Sequence, residues 1–276
     1  MLPYALIAPT VLFLGVLFVI PLVQTVALAF QVKGGWSLDN FATMADDLNF
    51  HDAVVNTFRL VAVAVPLQLV FAIGMAMMLR RIGKGRDLIL WIWSIPLGIS
   101  DLAAGLVWLA IVNDQGYLNS VLFRLGVIAR PESWLTYETP AALFFAVAIA
   151  EIWRATAIVL LIIVAGVQVL PKEYGEAAEV FGASPWKSFT RITLPLLKPS
   201  IQTALILRTV LAFEAFAVVM AIGGRNFPVI ISEAFTWQHF NNDSGVAASY
   251  AIVIMAISIV ATLVYLVALR TPAAQR

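Results

Sequence analysis

The sequence predicts an all-α protein that crosses a membrane six times, and its composition and its apolar runs lead to this fold class. Hydrophobic residues make up 62% of the chain and charged residues only 12%, about half the roughly 25% charged residues of a typical soluble domain. The mean hydropathy is +0.94. The apolar residues occur in six runs, each close to or above the roughly 20 residues that a membrane-crossing helix needs.

The six runs are separated by shorter polar connections, which predicts one transmembrane domain over residues 1–276. The predicted spans cover residues 4–30, 53–79, 88–112, 140–170, 200–222 and 246–269. Pro21 and Pro66 fall inside the first two spans, and Pro96 and Gly98 fall inside the third. Because proline lacks a backbone donor and glycine is a poor helix former, we expect the third span to be weakened near its middle.

Lysine and arginine are distributed unequally between the two sides of this arrangement. Ten belong to segments assigned to the cytoplasm and four to outer loops. The ten are Arg80, Arg81, Lys84, Arg86, Lys172, Lys187, Arg191, Lys198, Arg270 and Arg276. Since positive residues are retained on the cytoplasmic side, both termini and the long polar segment at residues 171–199 are predicted to be cytoplasmic.

The segment at residues 171–199 has the chemistry of a docking loop. Good helix formers predict a first helix over residues 172–181. Gly182 is predicted to end it, because glycine readily takes the left-handed conformation that closes a helix. Ser184 and the proline after it predict the start of a second helix over residues 185–191.

This docking loop also carries a sequence motif with fixed spacing. The motif consists of Glu176, Ala177, Ala178, Gly182, Ile192, Leu194 and Pro195. It resembles the EAA loop of permease subunits in binding-protein-dependent ABC importers. Phe181 departs from the pattern, since the family usually has an acidic residue before the glycine. Ala177, Ala178 and Phe181 are spaced to share a surface that could enter a groove on a partner.

The resemblance implies the type I ABC-importer permease fold and a location in the inner membrane of a bacterial or archaeal cell. It implies as partners a second homologous permease subunit, two cytosolic ATPase subunits and an extracytoplasmic solute-binding protein, beside the membrane lipid. ATP and Mg would be bound by the ATPase subunits, and no cofactor by this chain. The residues assigned to ATPase coupling are Glu176, Ala177, Ala178, Phe181 and Gly182.

Charged residues inside the predicted spans are costly, so they mark either packing contacts or a solute path. Glu151 and Arg154 lie three residues apart on one helix face and could pair. Arg208 begins a similar stripe on the fifth span, and Glu214 lies off it. The two stripes comprise Glu151, Arg154, Ala155, Ile158, Arg208, Leu211, Ala212 and Ala215. A buried ion pair that only fixes helix packing would explain the same charges, and both interpretations stay open at this point.

Polar, glycine and tryptophan residues fall where sugar permeases of the maltose type place similar ones: Trp108, Asn113, Gly116, Asn119, Gly126 and Trp134. This second resemblance covers nearly the whole chain and assigns both stripes to the solute path. It implies that Arg154 and Arg208 donate to hydroxyl oxygens of the solute and that Glu151 accepts from hydroxyl hydrogens. Trp153 and Phe213 are weaker candidates for stacking on a sugar. The turn after the fifth span is similar to that of the F-type subunit of maltose permeases. The expected cargo is a neutral sugar such as a disaccharide; the alternative is glycerol 3-phosphate or another polyol phosphate.

Several other functions are disfavoured. A net charge of +1 without a basic stripe argues against nucleic-acid binding. The absence of cysteine excludes thiol catalysis and cysteine-held metals, and the two histidines stand far apart in the sequence. The chain lacks the phosphate-binding loop of ATPases, so we expect a transporter subunit and not an enzyme. A proton-coupled transporter using Asp101, Glu151, Arg154 and Glu214 as a relay is a distant alternative that leaves the loop motif unexplained.

Overall fold

The computed structural model describes residues 2–269 of the chain except residues 34 and 172, and most of the described residues are helical. Four of the described helical stretches are long and apolar enough to cross a membrane alone: Leu6–Phe30, which includes a π-helical turn, and Phe50–Arg81, Pro140–Val169 and Ser244–Ala268. Two pairs of bent helices also meet this test, which brings the count to as many as six. The predicted all-α polytopic fold is therefore confirmed. The predicted basic C-terminal end, with Arg270 and Arg276, lies outside the described residues.

The helices are numbered along the chain. They are α1 (Leu2–Leu14), α2 (Ile20–Phe30), α3 (Asp39–Ala45), α4 (Phe50–Arg81), α5 (Arg86–Ser94), α6 (Asp101–Val112), α7 (Tyr117–Arg124), α8 (Pro140–Val169), α9 (Glu173–Val180), α10 (Pro185–Ser188), α11 (Leu194–Leu196), α12 (Lys198–Phe213), α13 (Ala217–Ile222), α14 (Ile230–His239) and α15 (Ser244–Ala268). A π-helical turn at Gly15–Val19 joins α1 to α2, and another at Phe189–Thr193 joins α10 to α11. Strands β1 (Gln31–Val32) and β2 (Gly35–Trp36) pair antiparallel.

The third predicted span is broken and not continuous. Helix α5 passes into a 3-10 turn at Ile95–Gly98, and the next helical arm begins at Asp101 at 98° to the first. Pro96 lies in this turn and has no N–H with which to continue an α-helical ladder. The sequence located the weak point, whereas the sharp change of direction is seen only in the structure.

The fifth predicted span, residues 200–222, also differs from the structure. Helix α12 ends at Phe213, and the chain becomes helical again only at Ala217. A second bend of 65° separates Pro185–Leu196 from α12. Prolines at 195 and 199 remove two backbone donors around this bend, which explains why the helix that leads into the membrane changes direction there.

The described chain forms two compact units. The first comprises the described residues of Met1–Val55 and Pro228–Ile257, and the second comprises the described residues of Asn56–Phe227 and Ser258–Arg276.

In the first unit, Asn40 holds the start of α3 against the end of α2. Its buried Nδ2 donates to the backbone oxygens of Leu28 and Ala29, at 3.1 Å each. Gly245, at the start of α15, lies so close that a Cβ there would be 2.6 Å from Asn40 Nδ2. This contact requires a residue without a side chain at 245.

In the second unit, α4, α8 and the start of α12 enclose one apolar core. Its buried members are Ala72, Ala76, Leu79, Val159, Leu160, Ile163, Val164, Val167, Leu197, Ile201 and Ala204. Gly166 of α8 brings α12 into close contact, because a Cβ at this position would overlap Ser200 Oγ and lie 2.7 Å from Ser200 Cβ. Small residues at this crossing let the two helix backbones approach, as is usual between membrane helices.

Candidate functional site

A buried ion pair on α8 forms the centre of the candidate site. The side chain of Glu151 is 1% exposed. Arg154 Nη2 donates to both of its carboxylate oxygens, at 2.9 and 3.1 Å, and Arg154 Nε donates to Oε2 at 3.3 Å. The pairing expected from the spacing of these two residues is therefore present.

Arg208 of α12 joins this pair from the facing helix. Its side chain is 2% exposed, and its Nη2 donates to Glu151 Oε1. The charged ends of the two predicted stripes therefore meet. The buried guanidinium and the buried carboxylate stabilise each other, because a lone charge in an apolar interior is strongly unfavourable.

Gln68 of α4 completes the buried cluster, and the sequence reasoning missed it. Its Oε1 accepts from Arg208 Nε at 2.7 Å, and its Nε2 donates to the backbone oxygen of Glu151 at 3.0 Å. The side-chain amide is fully buried and both of its ends are hydrogen-bonded. One signal could have revealed it, because Gln68 is the sole polar side chain in residues 60–79.

Asp101 extends the cluster to its exposed side. Arg154 Nη1 donates to Asp101 Oδ1 at 2.6 Å, and the Asp101 side chain is 51% exposed against 17% for Arg154. Asp101 is the first residue of α6, directly after the 98° bend, and Ser100 Oγ caps this helix by accepting from Ala103 N. We call the group formed by Gln68, Asp101, Glu151, Arg154 and Arg208 the polar cluster. It contains two guanidinium groups and two carboxylates, so its formal charge is zero.

One donor of the polar cluster remains unused. Arg208 Nη1 is buried and has no hydrogen-bond partner among the described residues. Since buried donors are almost always paired, this N–H group keeps an unmet capacity to donate a hydrogen bond.

The remaining predicted path residues have mixed surroundings. Ala155 and Ala212 are buried, Ile158 packs against the apolar core of the second unit, and Leu211 is 39% exposed. Ala215 lies beyond the end of α12, so the expectation of one continuous helical stripe from Arg208 to Ala215 was wrong. The stripe ends with the helix at residue 213.

The other polar and aromatic candidates lie apart from the polar cluster's hydrogen bonds. Glu214 is exposed at the end of α12. Trp153 packs edge to face on Trp108, with 6.2 Å between ring centroids, and Phe213 packs on Phe58 at 5.6 Å. Both rings therefore have aromatic neighbours within the chain.

The docking loop has the local structure that its sequence predicts. Helix α9 ends before Gly182, whose φ is +70°, and Ala183 N donates back to Ala178 O at 2.9 Å. Ser184 caps the next helix by accepting from Lys187 N. This second helical stretch continues to residue 196, further than the predicted 191, and the predicted first residue of α9, Lys172, lies outside the described residues.

The exposed surface of α9 differs from the expected one at one position. Ala178 is only 5% exposed and is therefore not part of the outward surface. Phe181 and Val180 are 89% and 83% exposed, and Glu176 and Ala177 are also exposed. Aromatic residues, phenylalanine included, are enriched at protein–protein interfaces relative to the rest of the surface.

A second polar contact, in the first unit, ties the segment before α4 to two later helices. Asp47 Oδ2 accepts from Trp237 Nε1 at 2.6 Å and from Tyr250 OH at 2.8 Å, while Oδ1 accepts from Asn49 N at 3.0 Å. Burial raises the pKa of Asp47, but these hydrogen bonds outweigh burial and hold the pKa below its usual value.

Comparison with known proteins places this chain in a family. Residues 51–270 match the model of the binding-protein-dependent transport system inner membrane component. The chain is 31% identical to the sulfoquinovosyl glycerol transport system permease protein SmoG of Agrobacterium fabrum, over 96% of this chain and 89% of that protein. It is 31% identical to the trehalose/maltose transport system permease protein MalF of Thermococcus litoralis, over 83% of this chain and 78% of that protein.

A solved structure supports the fold. A chain of a bacterial alginate ABC transporter, in complex with an alginate pentasaccharide-bound periplasmic protein, matches with a TM-score of 0.80 at 21% identity, over 96% of this chain and 92% of that one. A likeness at this identity is a likeness of fold. The family match and the relatives at 31% identity identify this chain as a member of the binding-protein-dependent transport system inner membrane components, the permease subunits of ABC importers.

Proposed function

We propose that this chain is the subunit through which an ATP-driven importer moves an uncharged carbohydrate across the inner membrane, with both termini in the cytoplasm. One observation carries the choice of solute. The polar cluster has equal numbers of positive and negative groups, and it keeps one buried guanidinium donor without a partner. The relative named for trehalose/maltose transport supports a carbohydrate cargo.

The charge of the polar cluster distinguishes the two cargo classes. A phosphate carries up to two negative charges and is usually met by unpaired arginines. Arg154 and Arg208 are already neutralised by Asp101 and Glu151. A sugar needs only donors and acceptors, so a neutral cargo is favoured over glycerol 3-phosphate.

The proposed path uses Arg208 Nη1 as a donor to a solute hydroxyl, and the exposed carboxylate of Asp101 as an acceptor. Beyond these groups it follows the first predicted stripe and the part of the second that lies on α12, with Ala215 just past the end of that helix. Its members are Glu151, Arg154, Ala155, Ile158, Arg208, Leu211, Ala212 and Ala215. The small residues among them leave room beside the charged groups.

Uptake measurements test the cargo and the role of Arg208. Cells that express the complete importer are given radiolabelled maltose, trehalose, methyl α-glucoside or glycerol 3-phosphate. We expect uptake of at least one neutral sugar, and we expect Arg208→Gln to lower it at least tenfold while the assembled complex is still recovered. Arg124→Gln, at an exposed arginine outside the polar cluster, serves as the control. Wild-type uptake by the Arg208 variant, or uptake of glycerol 3-phosphate alone, contradicts the proposal.

We further propose that α9 couples this subunit to a cytosolic ATPase partner. The contact would use Glu176, Ala177 and Phe181 on the outward surface, with Ala178 and Gly182 fixing the shape of the helix end. The support is the exposed Phe181 ring on a helix closed by a left-handed glycine. The family's dependence on a binding protein suggests an extracytoplasmic partner as well, and a second permease subunit completes the proposed assembly.

Two substitutions test the coupling. Gly182→Leu forces a branched residue into the left-handed conformation, at a cost of roughly 1–2 kcal/mol, and Glu176→Lys reverses a charge on the outward surface. We expect both variants to reach the membrane but to lose solute-stimulated ATP hydrolysis in proteoliposomes. Glu138→Lys, an exposed position between α7 and α8, is the matched control. Normal uptake and normal stimulation in both loop variants refute the coupling role.

A further inference from the structure

We propose that Asp101 sets the charge selectivity of the solute path, an inference that rests on the function proposed above. Asp101 is not part of either predicted stripe. The structure nevertheless brings its carboxylate to 2.6 Å from Arg154 Nη1. Asp101 is thus the group that makes the polar cluster neutral.

The exposures within the polar cluster place Asp101 at its entrance. The side chains of Glu151 and Arg208 are 1% and 2% exposed, that of Arg154 is 17% exposed, and that of Asp101 is 51% exposed. A solute that approaches from the open side therefore meets the Asp101 carboxylate before it meets either guanidinium.

The hydrogen bonds of Arg154 show why the Glu151 carboxylate alone does not neutralise both guanidinium groups. Its Nε and Nη2 donate to Glu151, while its Nη1 donates to Asp101. Glu151 also accepts from Arg208, so one buried carboxylate serves two guanidinium groups. Without the Asp101 charge, the polar cluster would carry a net charge of +1, and Arg154 Nη1 would lose its charged acceptor.

The backbone holds Asp101 firmly in this place. Ser100 caps α6 directly before it, and the residue opens the arm that follows the 98° bend. One turn later, Gly105 packs so closely on α13 that a Cβ there would lie 2.6 Å from Ala221 Cβ. A carboxylate at the fixed start of a packed helix cannot follow Arg154 if a ligand draws that side chain away.

Electrostatics then predicts the selectivity. A carboxylate or phosphate on the solute would be repelled by Asp101, whereas a hydroxyl could donate to it. Replacing the charge by the amide of asparagine removes this repulsion and leaves a surplus positive charge. Because the position is half exposed and screened by solvent, we expect a change of about tenfold in the relative affinity for anionic and neutral solutes, and not a larger one.

The test uses two probes that differ at a single group. Maltitol ends in a hydroxymethyl group where maltobionate has a carboxylate. Binding of each to the purified importer complex is measured by tryptophan fluorescence, and the ratio of the two dissociation constants is compared between variants. Asp101→Asn is expected to shift the ratio about tenfold toward maltobionate. Arg154→Gln, which leaves the polar cluster with a charge of −1, is expected to shift it in the opposite direction.

Control variants keep the outcomes distinct. Asp87→Asn makes the same chemical change at an exposed residue of α5 and should leave the ratio unchanged, whereas Asp101→Glu should restore the wild-type ratio. If Asp101→Asn binds both probes with the wild-type ratio, the selectivity role is refuted while the proposed function stands. If the wild-type complex binds neither probe, or if Arg208→Gln binds maltitol normally, the proposed solute path fails and this inference fails with it.

Discussion

Removing the charge of Glu151 should destabilise the protein more than any other single isosteric change in the polar cluster. The carboxylate is 1% exposed and receives hydrogen bonds from both Arg154 and Arg208. In Glu151→Gln, the new amide group would face guanidinium donors, and two cations would share the one remaining carboxylate of Asp101. Breaking a buried ion pair from one side costs about 3–5 kcal/mol.

We take the lower end of this range, because Arg154 keeps its bond to Asp101 at 2.6 Å. A loss of about 3 kcal/mol corresponds to a fall in melting temperature of roughly 6–12 °C for a chain of about this size. The melting temperature of the purified protein in detergent, followed by intrinsic fluorescence, measures the change. Glu138→Gln, at an exposed position, should melt within about 2 °C of the wild type, since surface changes are usually worth about 0.5 kcal/mol or less.

A double variant tests whether charge is the cause. Glu151→Gln combined with Arg208→Met removes one charge of each sign from the buried part of the polar cluster, so we expect it to melt higher than Glu151→Gln alone. The reasoning is refuted if the single variant melts within about 2 °C of the wild type. It is also refuted if the double variant melts lower than the single one, because the loss would then come from packing and not from an unpaired charge.

Three further outcomes follow from contacts described above. Gly166→Ala should lower the melting temperature by an amount equivalent to about 1–3 kcal/mol of overpacking. Adding Ser200→Gly to this variant should restore part of the lost melting temperature. Gly74→Ala, where nothing lies within 4 Å, should not be destabilising. Asp47→Asn should lower the melting temperature at neutral pH. Because the pKa of Asp47 is lowered in the folded state, the difference in melting temperature from the wild type should be full above about pH 4 and should shrink as the pH falls below it. A difference that stays constant across a pH series would contradict this. Gln68→Leu should cost about 1–3 kcal/mol by leaving a buried guanidinium N–H without its acceptor, and an unchanged melting temperature would show that the bond contributes nothing.

Local signals in the sequence predicted the docking loop well. The end of α9 at Gly182 and the cap at Ser184 depend on residues within one helical turn, so their residue types are sufficient to predict them. Ala178 was misjudged because its burial depends on packing within the folded chain. The spacing of two residues along one helix does not reveal what lies on either side of that helix.

The polar cluster was predicted only in part, for a similar reason. The pairing of Glu151 and Arg154 follows from helical spacing, but the contacts made by Gln68 and Asp101 join residues 83 and 53 positions away from their partners. A single glutamine in an apolar run has no periodic pattern that would identify its neighbour. The end of α12 at residue 213 was missed because no proline or glycine marks it.

The hydrogen bonds of the polar cluster also limit how the second unit can deform. They run without interruption from α4 through α12 and α8 to the first residue of α6, so turning any one of these helices alone would break at least one charge-assisted bond, and turning α8 or α12 would break two or more. We expect α4, α6, α8 and α12 to move together as a rigid body around the polar cluster. Flexing would then concentrate where the helical ladder is already interrupted, at residues 99–100 and 214–216.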